Sequence, residues 1–153
     1  MAARLEYLLP SARSARDSCA AEDPAAAVLA SAGSLDVLLA REPADVDRAL
    51  RLRYRVFAEE LGACLDPAQG IDRDVFDPYC QHLIVRDRAS AAVVGTYRVL
   101  LPEQAAELGR LYSDGEFTLT RLHALRPSMV ELGRSCVDAG YRSGAVIMLL
   151  WSG

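Results

Sequence analysis

Two apolar runs separated by a short polar segment constrain the fold of this chain most strongly. Residues 80–85 and 91–101 are rich in Val, Ile, Leu and Tyr, and a polar triplet lies at 86–88. Runs of this composition on either side of a polar turn are typical of β-strands, and so short a connection requires antiparallel strands. The sequence therefore predicts an antiparallel hairpin near the centre of the chain, which Pro102 ends.

The segments around the hairpin alternate between strand and helix patterns. Before it, residues 34–40 predict a strand, and Pro43 opens a predicted helix that Gly62 ends. After it, the patterns predict short helices at 103–108 and 119–125, a strand at 129–137, and a helix opening near Tyr141 or Arg142. This order predicts an α/β (α+β) fold, with a mixed, mainly antiparallel sheet flanked by helices.

Two of the predicted helices differ in how their apolar residues are distributed. The first places one apolar stripe on a single face, through Val46, Leu50, Phe57 and Leu61. The last helix is apolar nearly all round, which predicts that it is buried on every side.

The composition indicates one folded domain behind an Ala-rich leader. A chain of 153 residues with 52% hydrophobic residues has material for one core. Residues 1–33 are Ala-rich without amphipathic spacing and predict a flexible leader, so that 34–153 form the folded part. Because no further sequence follows the apolar last helix to cover it, we interpret the chain as C-terminally truncated.

Charge and cysteine spacing exclude several classes of function. The net charge of −4 and the pI near 5.2 argue against a nucleic-acid-binding protein, which needs a basic surface. The four cysteines form no Cys-x-x-Cys pair, and no apolar run reaches the length of a membrane span. The first residues also lack the apolar core of a secretory signal. These features favour a cytoplasmic protein with reduced thiols.

An acidic segment follows the first helix and contains Asp72-x-Asp74-x-x-Asp77. Its content of Asp, Gly and Pro predicts a loop. Three carboxylates are able to chelate a cation, but the segment lacks the sixth-position Gly and closing Glu of an EF-hand, so we predict no metal site. An acidic loop that attracts a cationic substrate, or one that is only solvated, remains open.

Charged residues also lie inside otherwise apolar strands. Arg98 lies in the second hairpin strand, and Glu131 and Arg134 lie in the last strand. An isolated buried charge is very costly, so these residues must be paired or functional, and Arg98 with Glu131 is the predicted pair. A β-bulge at Gly133 would turn Glu131 and Arg134 to one side of the sheet. A purely structural salt bridge is the alternative reading of all three.

Four short motifs containing these residues follow one another along the chain. They are Arg53-x-x-x-Phe57, Asp72-x-Asp74-x-x-Asp77, Gly95-Thr96-x-Arg98 and Glu131-x-x-Arg134. In this order and near this spacing, they resemble the signature residues of acyl-homoserine-lactone autoinducer synthases. The longer segments 52–57, 94–100 and 131–137 resemble more closely the hemolysin-like GNAT family that contains the L-ornithine Nα-acyltransferases. Autoinducer synthases usually have Trp after the helical Gly, where this chain has Ala63.

The resemblance implies a GNAT-like fold and an N-acyltransferase without a tightly bound cofactor. A 3-hydroxyacyl group would pass from acyl carrier protein to the α-amine of ornithine. Glu131 would be the general base, acting through a water, with Arg98 and Arg134 beside it in the catalytic group. Substrate-binding roles fall on Arg53, Phe57, Asp72, Asp74 and Asp77. The three aspartates would attract the dibasic acceptor or hold Arg53 and Arg98. A lipid product also implies contact with the inner membrane from the cytoplasmic side.

The donor site departs from that of ordinary GNAT acetyltransferases. Their pyrophosphate loop, Arg/Gln-x-x-Gly-x-Gly/Ala, would lie at 141–146, where only Gly144 matches. Loss of that cradle favours acyl carrier protein, whose phosphopantetheine arm has a single phosphate, over coenzyme A. Gly133, Arg142 and Gly144 are the predicted donor-binding residues.

Rival interpretations remain at this point. One is an autoinducer-like synthase that uses S-adenosylmethionine, or an acyltransferase for another amino acid. Another is a non-catalytic relic that only binds carrier protein. Acyl-enzyme chemistry at Cys136 is disfavoured because His82 falls on another strand, so we predict a buried structural thiol. Since later strands of the family fold are missing, we expect the 153-residue chain itself to be poorly active.

Overall fold

Five segments pair into a single antiparallel sheet in the computed structural model, which describes residues 28–66 and 69–153. The strands are β1 (Val28–Ala32), β2 (Leu35–Leu39), β3 (Gln81–Asp87), β4 (Val93–Leu100) and β5 (Glu131–Val137). Their order in the sheet is their order in the sequence, and every neighbouring pair is antiparallel. The predicted α+β class with a mainly antiparallel sheet is confirmed.

The central hairpin is confirmed, with its turn shifted along the chain. The predicted turn at 86–88 is wrong for Arg86 and Asp87, which belong to β3. The backbone N–H of Asp87 donates to Ala92 O at 3.0 Å, which continues the pairing. The Asp87 carboxylate accepts from Ser90 Oγ at 2.9 Å and from Tyr141 Oη at 3.0 Å. A polar residue can therefore end the strand, because its side chain stabilises the turn that follows.

The first helix begins as predicted and then widens. Helix α1 (Pro43–Tyr54) continues into a π-helical segment, Arg55–Glu60, in which Leu61 N donates to Val56 O at 3.1 Å. Gly62, with φ of +73°, ends it. The wider turn moves later residues around the axis, so the predicted stripe fails at Leu61, which is 71% exposed.

The two faces of the sheet bury separate apolar cores. Strand residues next to each other point to opposite faces. Val37 and Val85 therefore pack with the last helix, α3 (Ala145–Ser152), while Leu38 and Ile84 pack with α1. Strand β4 contacts both α1 and α3 and is held between these two layers, and β5 pairs with it at the edge of the sheet.

The connection between β4 and β5 is mostly helical. It contains α2 (Pro102–Leu108) and two 3₁₀ segments, Tyr112–Gly115 and Thr120–Ser128. Both short helices predicted here are present, the second as a 3₁₀ helix. A third apolar cluster of Phe76, Leu100 and Leu111 joins the connection to the acidic loop.

Helix α3 packs against the sheet with one side only. Val146, Leu149 and Leu150 are buried, whereas Met148 and Trp151 are each 70% exposed. The prediction of burial on every side is wrong for the outer face, because the hydrophobicity of the helix reports its composition and not its number of neighbours. No helix formed by residues 28–66 and 69–153 has the length and apolar character needed to cross a membrane.

The predicted leader overlaps the sheet. Residues 1–27 lie outside the described residues, and the prediction is wrong for residues 28–32, which form β1. Four of the five residues of this strand are exposed, so its sequence lacks an alternating apolar pattern. It is held by backbone pairing to β2 across a tight turn at Gly33, whose φ is +58°.

Gly95 lets α3 approach β4 closely, which gives a first prediction. A Cβ at this position would lie 2.3 Å from Val146 Cγ1 and 3.5 Å from Leu150 Cδ1. Gly95→Ala should lower the free energy of unfolding by about 1–3 kcal/mol through overpacking, as measured by denaturant titration.

The control is Gly115→Ala, since a Cβ at Gly115 meets nothing within 4 Å and should leave stability nearly unchanged. Adding Val146→Ala to Gly95→Ala removes the clashing methyl group, so the double variant should recover part of the loss. A Gly95→Ala protein as stable as the wild type would show that α3 does not pack where we place it.

Candidate active site

The acidic loop folds around its own carboxylates. Asp74 Oδ1 accepts from Phe76 N at 2.9 Å, and Asp77 Oδ2 accepts from Asp74 N at 2.7 Å. These side-chain bonds close turns, as Asp residues commonly do in loops. The Asp72 N–H donates to Leu50 O at 3.1 Å, which attaches the loop to α1. The loop is therefore a rigid part of the site.

Asp77 is the centre of a buried ion-pair network. Arg53, which is 1% exposed, donates from Nη1 to Asp77 Oδ1 at 2.6 Å and from Nη2 to Oδ2 at 3.3 Å. Its Nε donates to Asp72 Oδ2 at 3.0 Å. Burial alone would raise the pKa of Asp77, but the hydrogen bonds and charges of Arg53, with help from Arg98, hold it below its ordinary value. Asp77 is consequently ionised at neutral pH.

Arg98 joins the same network from β4. Its Nη1 donates to Asp74 Oδ1 at 2.6 Å and to Asp77 Oδ1 at 3.0 Å. Burial by itself would lower the pKa of Arg98, but the two carboxylates raise it, so the guanidinium stays charged. The predicted Arg98–Glu131 pair is wrong: among the described residues, Arg98 pairs with the aspartates instead. The acidic loop places the carboxylates of Asp74 and Asp77 within hydrogen-bonding distance of Arg98, and these replace Glu131 of β5 as its partners.

His82 lies beside this network on β3, opposite Arg98 in the strand register. Its ring is buried, with Nε2 3.4 Å from Asp77 O and Nδ1 without a hydrogen-bond partner among the described residues. Burial lowers the pKa of His82 and outweighs the charge of Asp77, which alone would raise it. A neutral imidazole there adds no further charge to the cluster.

Strand β5 carries the predicted bulge, one residue further along than predicted. Arg98 pairs with Gly133 and Thr96 pairs with Cys136, so one extra residue is inserted in β5 between them. The left-handed residue is Arg134, with φ of +52°, and not Gly133. A non-glycine residue in this region costs about 1–3 kcal/mol and persists only where its surroundings hold it. The bulge turns both Glu131 and Arg134 toward one cleft.

Glu131 is held by the start of the 3₁₀ segment Tyr112–Gly115. Its Oε2 accepts from Tyr112 N at 2.7 Å, and its Oε1 accepts from Ser113 N at 2.8 Å and from Ser113 Oγ. A carboxylate has about four acceptor positions, so one remains on Oε2. These bonds fix the direction of the carboxylate without using all of its capacity.

Arg134 is held mainly by aromatic rings. Its guanidinium carbon lies 5.3 Å from the ring centre of Tyr112 and 5.7 Å from that of Phe57. Its distances to Asp72 Oδ2 and Asp74 Oδ2 are 3.5 and 3.7 Å, longer than good hydrogen bonds. The π-helical segment that carries Phe57 thus supplies one wall of the site.

A cleft of about 430 Å³ opens over these groups. It brings together five of the predicted site residues, namely Phe57, Arg98, Glu131, Gly133 and Arg134. Three others, Arg53, Asp72 and Asp77, are buried behind it, where the two aspartates pair with the arginines. The partly exposed Asp74 lies between Arg98 and Arg134.

The predicted donor-binding residues divide between two adjoining grooves. Arg142 and Gly144 line a second groove of about 320 Å³ at the start of α3, and Ser135 borders both this groove and the cleft. Arg142 donates to Val137 O at 3.0 Å and forms an ion pair with Glu60. The two grooves follow β5 on either side of its bulge.

Several lining residues escaped the sequence analysis. Phe76, Cys80, Tyr112 and Ser113 all border the cleft. Phe76 packs edge to face on Tyr112, with ring centres 5.5 Å apart. No local motif marks Tyr112 or Ser113, because their role depends on how the long connection returns to the end of β5.

The thiols near the site are protonated at neutral pH. Burial raises the pKa of Cys136 to about 12 and that of Cys80 to about 11. A protonated, buried thiol is a poor nucleophile. Cys136 accordingly packs in the core between the sheet and α1. Among residues 28–66 and 69–153, no cluster of His, Cys, Asp and Glu has the arrangement of a metal site.

Comparison with known proteins gives close relatives for most of the chain. It is 42% identical over 138 residues to an L-ornithine N(alpha)-acyltransferase of Brucella abortus, which covers 84% of this chain and 49% of the relative. It is 40% identical over 127 residues to one of Rhodobacter capsulatus, covering 78% of this chain and 49% of the relative. The chain thus spans about half the length of the curated relatives it matches.

The fold is also found in a solved structure. The crystal structure of the AHL synthase LasI superposes with a TM-score of 0.50 at 19% identity, covering 74% of this chain and 58% of the other. Residues 52–152, more than half of the chain, match the family described as acetyltransferase (GNAT) domain. With its antiparallel sheet, its bulged strand β5 and this match, the chain belongs to the GNAT acetyltransferase domain family.

Proposed function

We propose that the full protein transfers a 3-hydroxyfatty acyl group from acyl carrier protein to the α-amine of L-ornithine, giving lyso-ornithine lipid. The observation that carries the proposal is the identity of 40–42% to relatives named L-ornithine N(alpha)-acyltransferase. The cleft supports it, because a fixed carboxylate and a bulged strand border one space of about 430 Å³.

The first chemical requirement is to remove a proton from the acceptor's ammonium. Glu131 is the proposed general base, directly or through a water, and the acceptor position left on Oε2 is available for it. The neutral amine then attacks the thioester carbonyl, and collapse of the tetrahedral intermediate expels the pantetheine thiolate. The attacking nitrogen gives up its second proton and the thiolate takes one up, so amide and free thiol form together. The acyl group passes directly from donor to acceptor, and no covalent enzyme intermediate is needed.

The second requirement is to hold the thioester and to stabilise the developing oxyanion. The bulge at Gly133 and Arg134 interrupts the regular pairing of β5, and its backbone amides are the proposed donors to the carbonyl and the pantetheine arm. Arg142 and Gly144, in the adjoining groove, are the proposed contacts of the phosphopantetheine phosphate.

The third requirement is that the site keeps its shape during the reaction. Arg53, Asp72 and Asp77 are too deeply buried to touch a substrate, so we assign them to positioning instead of acceptor binding. Arg98 lines the cleft, and its Nη1 already donates to two carboxylates. Its proposed role is to fix the acidic loop against β4 and to place positive charge near the reacting atoms.

The same proposal covers partners and location. Acyl carrier protein is the donor partner in this scheme, ornithine or a similar amine is the acceptor, and nucleic acid has no part. The enzyme would work in the cytoplasm, in peripheral contact with the inner membrane where the lipid product is delivered.

The proposal is tested with the full-length protein, 3-hydroxyacyl carrier protein and a panel of amines. Free carrier thiol should appear rapidly with L-ornithine and much more slowly with other amino acids. Turnover only with S-adenosylmethionine would instead indicate an autoinducer-like synthase. Carrier binding without turnover of any amine would indicate a non-catalytic binding module and would refute the proposal.

Glu131 gives a prediction about mechanism. Glu131→Gln keeps the shape of the side chain but removes the base, so kcat should fall by about 10²–10⁴-fold. The affinity for carrier protein should stay nearly unchanged.

Ser113→Ala is the matched control, because it removes one hydrogen bond to Glu131 and leaves the carboxylate in place. It should reduce kcat far less than Glu131→Gln does. Wild-type turnover in Glu131→Gln, with the fold intact by circular dichroism, would exclude Glu131 as the base.

A further inference from the structure

Three arginines belong to the charged cluster, but they differ in how fully their donors are used. Arg53 makes three hydrogen bonds and Arg98 makes two, all with aspartate oxygens. Arg134 reaches the carboxylates of Asp72 and Asp74 only at 3.5 and 3.7 Å. Its Nε is buried without a hydrogen-bond partner among the described residues. Among the described residues, Arg134 is therefore the arginine of this cluster whose guanidinium makes no hydrogen bond of ordinary length to a carboxylate.

The surroundings of Arg134 hold its guanidinium in place despite this lack of bonds. The rings of Phe57 and Tyr112 lie 5.7 and 5.3 Å from its central carbon. Its backbone is left-handed, with φ of +52°, inside the bulge of β5. A side chain fixed by rings on a strained backbone, with unused donors, matches a preformed site for an anion.

The charge of the cleft indicates which anion fits. Arg134 and Glu131 both line it, and the carboxylate of Glu131 is held toward the Tyr112–Gly115 segment. Arg98 lines the cleft as well, but its Nη1 is paired with Asp74 and Asp77. The less tightly paired Arg134 and the fixed carboxylate of Glu131 therefore complement a zwitterion that carries a carboxylate beside an ammonium. An α-amino acid is such a molecule, and guanidinium matches carboxylate in geometry as well as in charge.

We infer that the side chain of Arg134 binds the α-carboxylate of the amino-acid acceptor and so selects acceptors with a carboxylate next to the reacting amine. This inference rests on the proposed function, because it takes the acceptor to be an amino acid. With the carboxylate on Arg134, the adjacent α-amine is directed toward Glu131. The same anchor leaves a side-chain amine farther from the base, which accounts for acylation at the α position.

The test compares L-ornithine with L-ornithinamide, which keeps both amines and replaces the carboxylate by a neutral amide. Acyl transfer from 3-hydroxyacyl carrier protein is measured with the full-length protein. The wild type should favour ornithine by roughly ten- to a hundredfold in kcat/KM, the range expected for hydrogen bonds between charged groups. In Arg134→Gln this ratio should fall toward one, and in Arg134→Lys, which keeps the charge but not the two-pronged geometry, it should be intermediate.

Arg110→Gln is the matched control. Arg110 also stacks on an aromatic ring, 5.1 Å from the centre of Phe76, but it does not line the cleft. This variant should keep the wild-type preference for ornithine. If the wild type used ornithine and ornithinamide equally well, this result alone would overturn the inference. An Arg134→Gln protein that still prefers ornithine to ornithinamide would overturn it too. So would an Arg134→Gln protein whose only defect is a higher KM for carrier protein, the same with either acceptor.

Direct binding separates this inference from the proposed function. Ligand-observed NMR without acyl donor should show tighter binding of ornithine than of ornithinamide to the wild type, and equal binding to Arg134→Gln. If no acyl transfer occurs but this difference is seen, the proposed function fails and the carboxylate site stands. If transfer to ornithine occurs and the binding difference is missing, the proposed function stands and the carboxylate site fails.

Discussion

The carboxylate of Asp77 is the group on which the rest of the site depends. It accepts hydrogen bonds from Arg53, from Arg98 and from the backbone of Asp74, and so joins helix α1, strand β4 and the acidic loop at one point. Taking such charges out of water is costly, and only complete pairing offsets the cost. Removing one member of the network would leave its buried partners with fewer compensating contacts, which disfavours rearrangement of the loop.

The cleft follows from this rigid base and from one irregular strand. With the loop fixed, Arg98 and the aspartates form a charged floor, and the bulge in β5 turns Glu131 and Arg134 over it. The π-helical segment adds Phe57 as a wall. π-helical turns and strand bulges are frequent at functional sites, where a regular element would direct side chains elsewhere. Here both irregularities act on the same guanidinium, that of Arg134.

Local patterns predicted the elements of the fold but not every contact between them. The hairpin and the presence of a bulge in β5 were predicted, because two strand-like runs around a polar triplet and a Gly between two charged residues are local signals. The hairpin turn and the left-handed residue of the bulge both lie further along the chain than predicted. Strand β1 was missed because an exposed edge strand buries too little to show alternation. The partners of Arg98 and Glu131 were missed for another reason. Each forms hydrogen bonds to a segment that is close in space but far in sequence, Arg98 to the acidic loop and Glu131 to the 3₁₀ segment at Tyr112. The residues next to them in the chain give no signal of these contacts.

The measurement that tests this account most directly is the unfolding free energy of Asp77→Asn as a function of pH. At pH 7 the variant should be less stable than the wild type by about 3–5 kcal/mol, whereas Asp47→Asn, which breaks an exposed pair with Arg51, should lose under about 1 kcal/mol. The folded-state pKa of Asp77 is depressed, so its contribution is complete above the unfolded pKa near 3.9 and is lost as the pH falls through the lower folded value. The difference between wild type and Asp77→Asn should therefore be constant above about pH 5 and shrink below about pH 4. A difference under about 1 kcal/mol at pH 7, or one that grows on acidification, would show that this network does not organise the site.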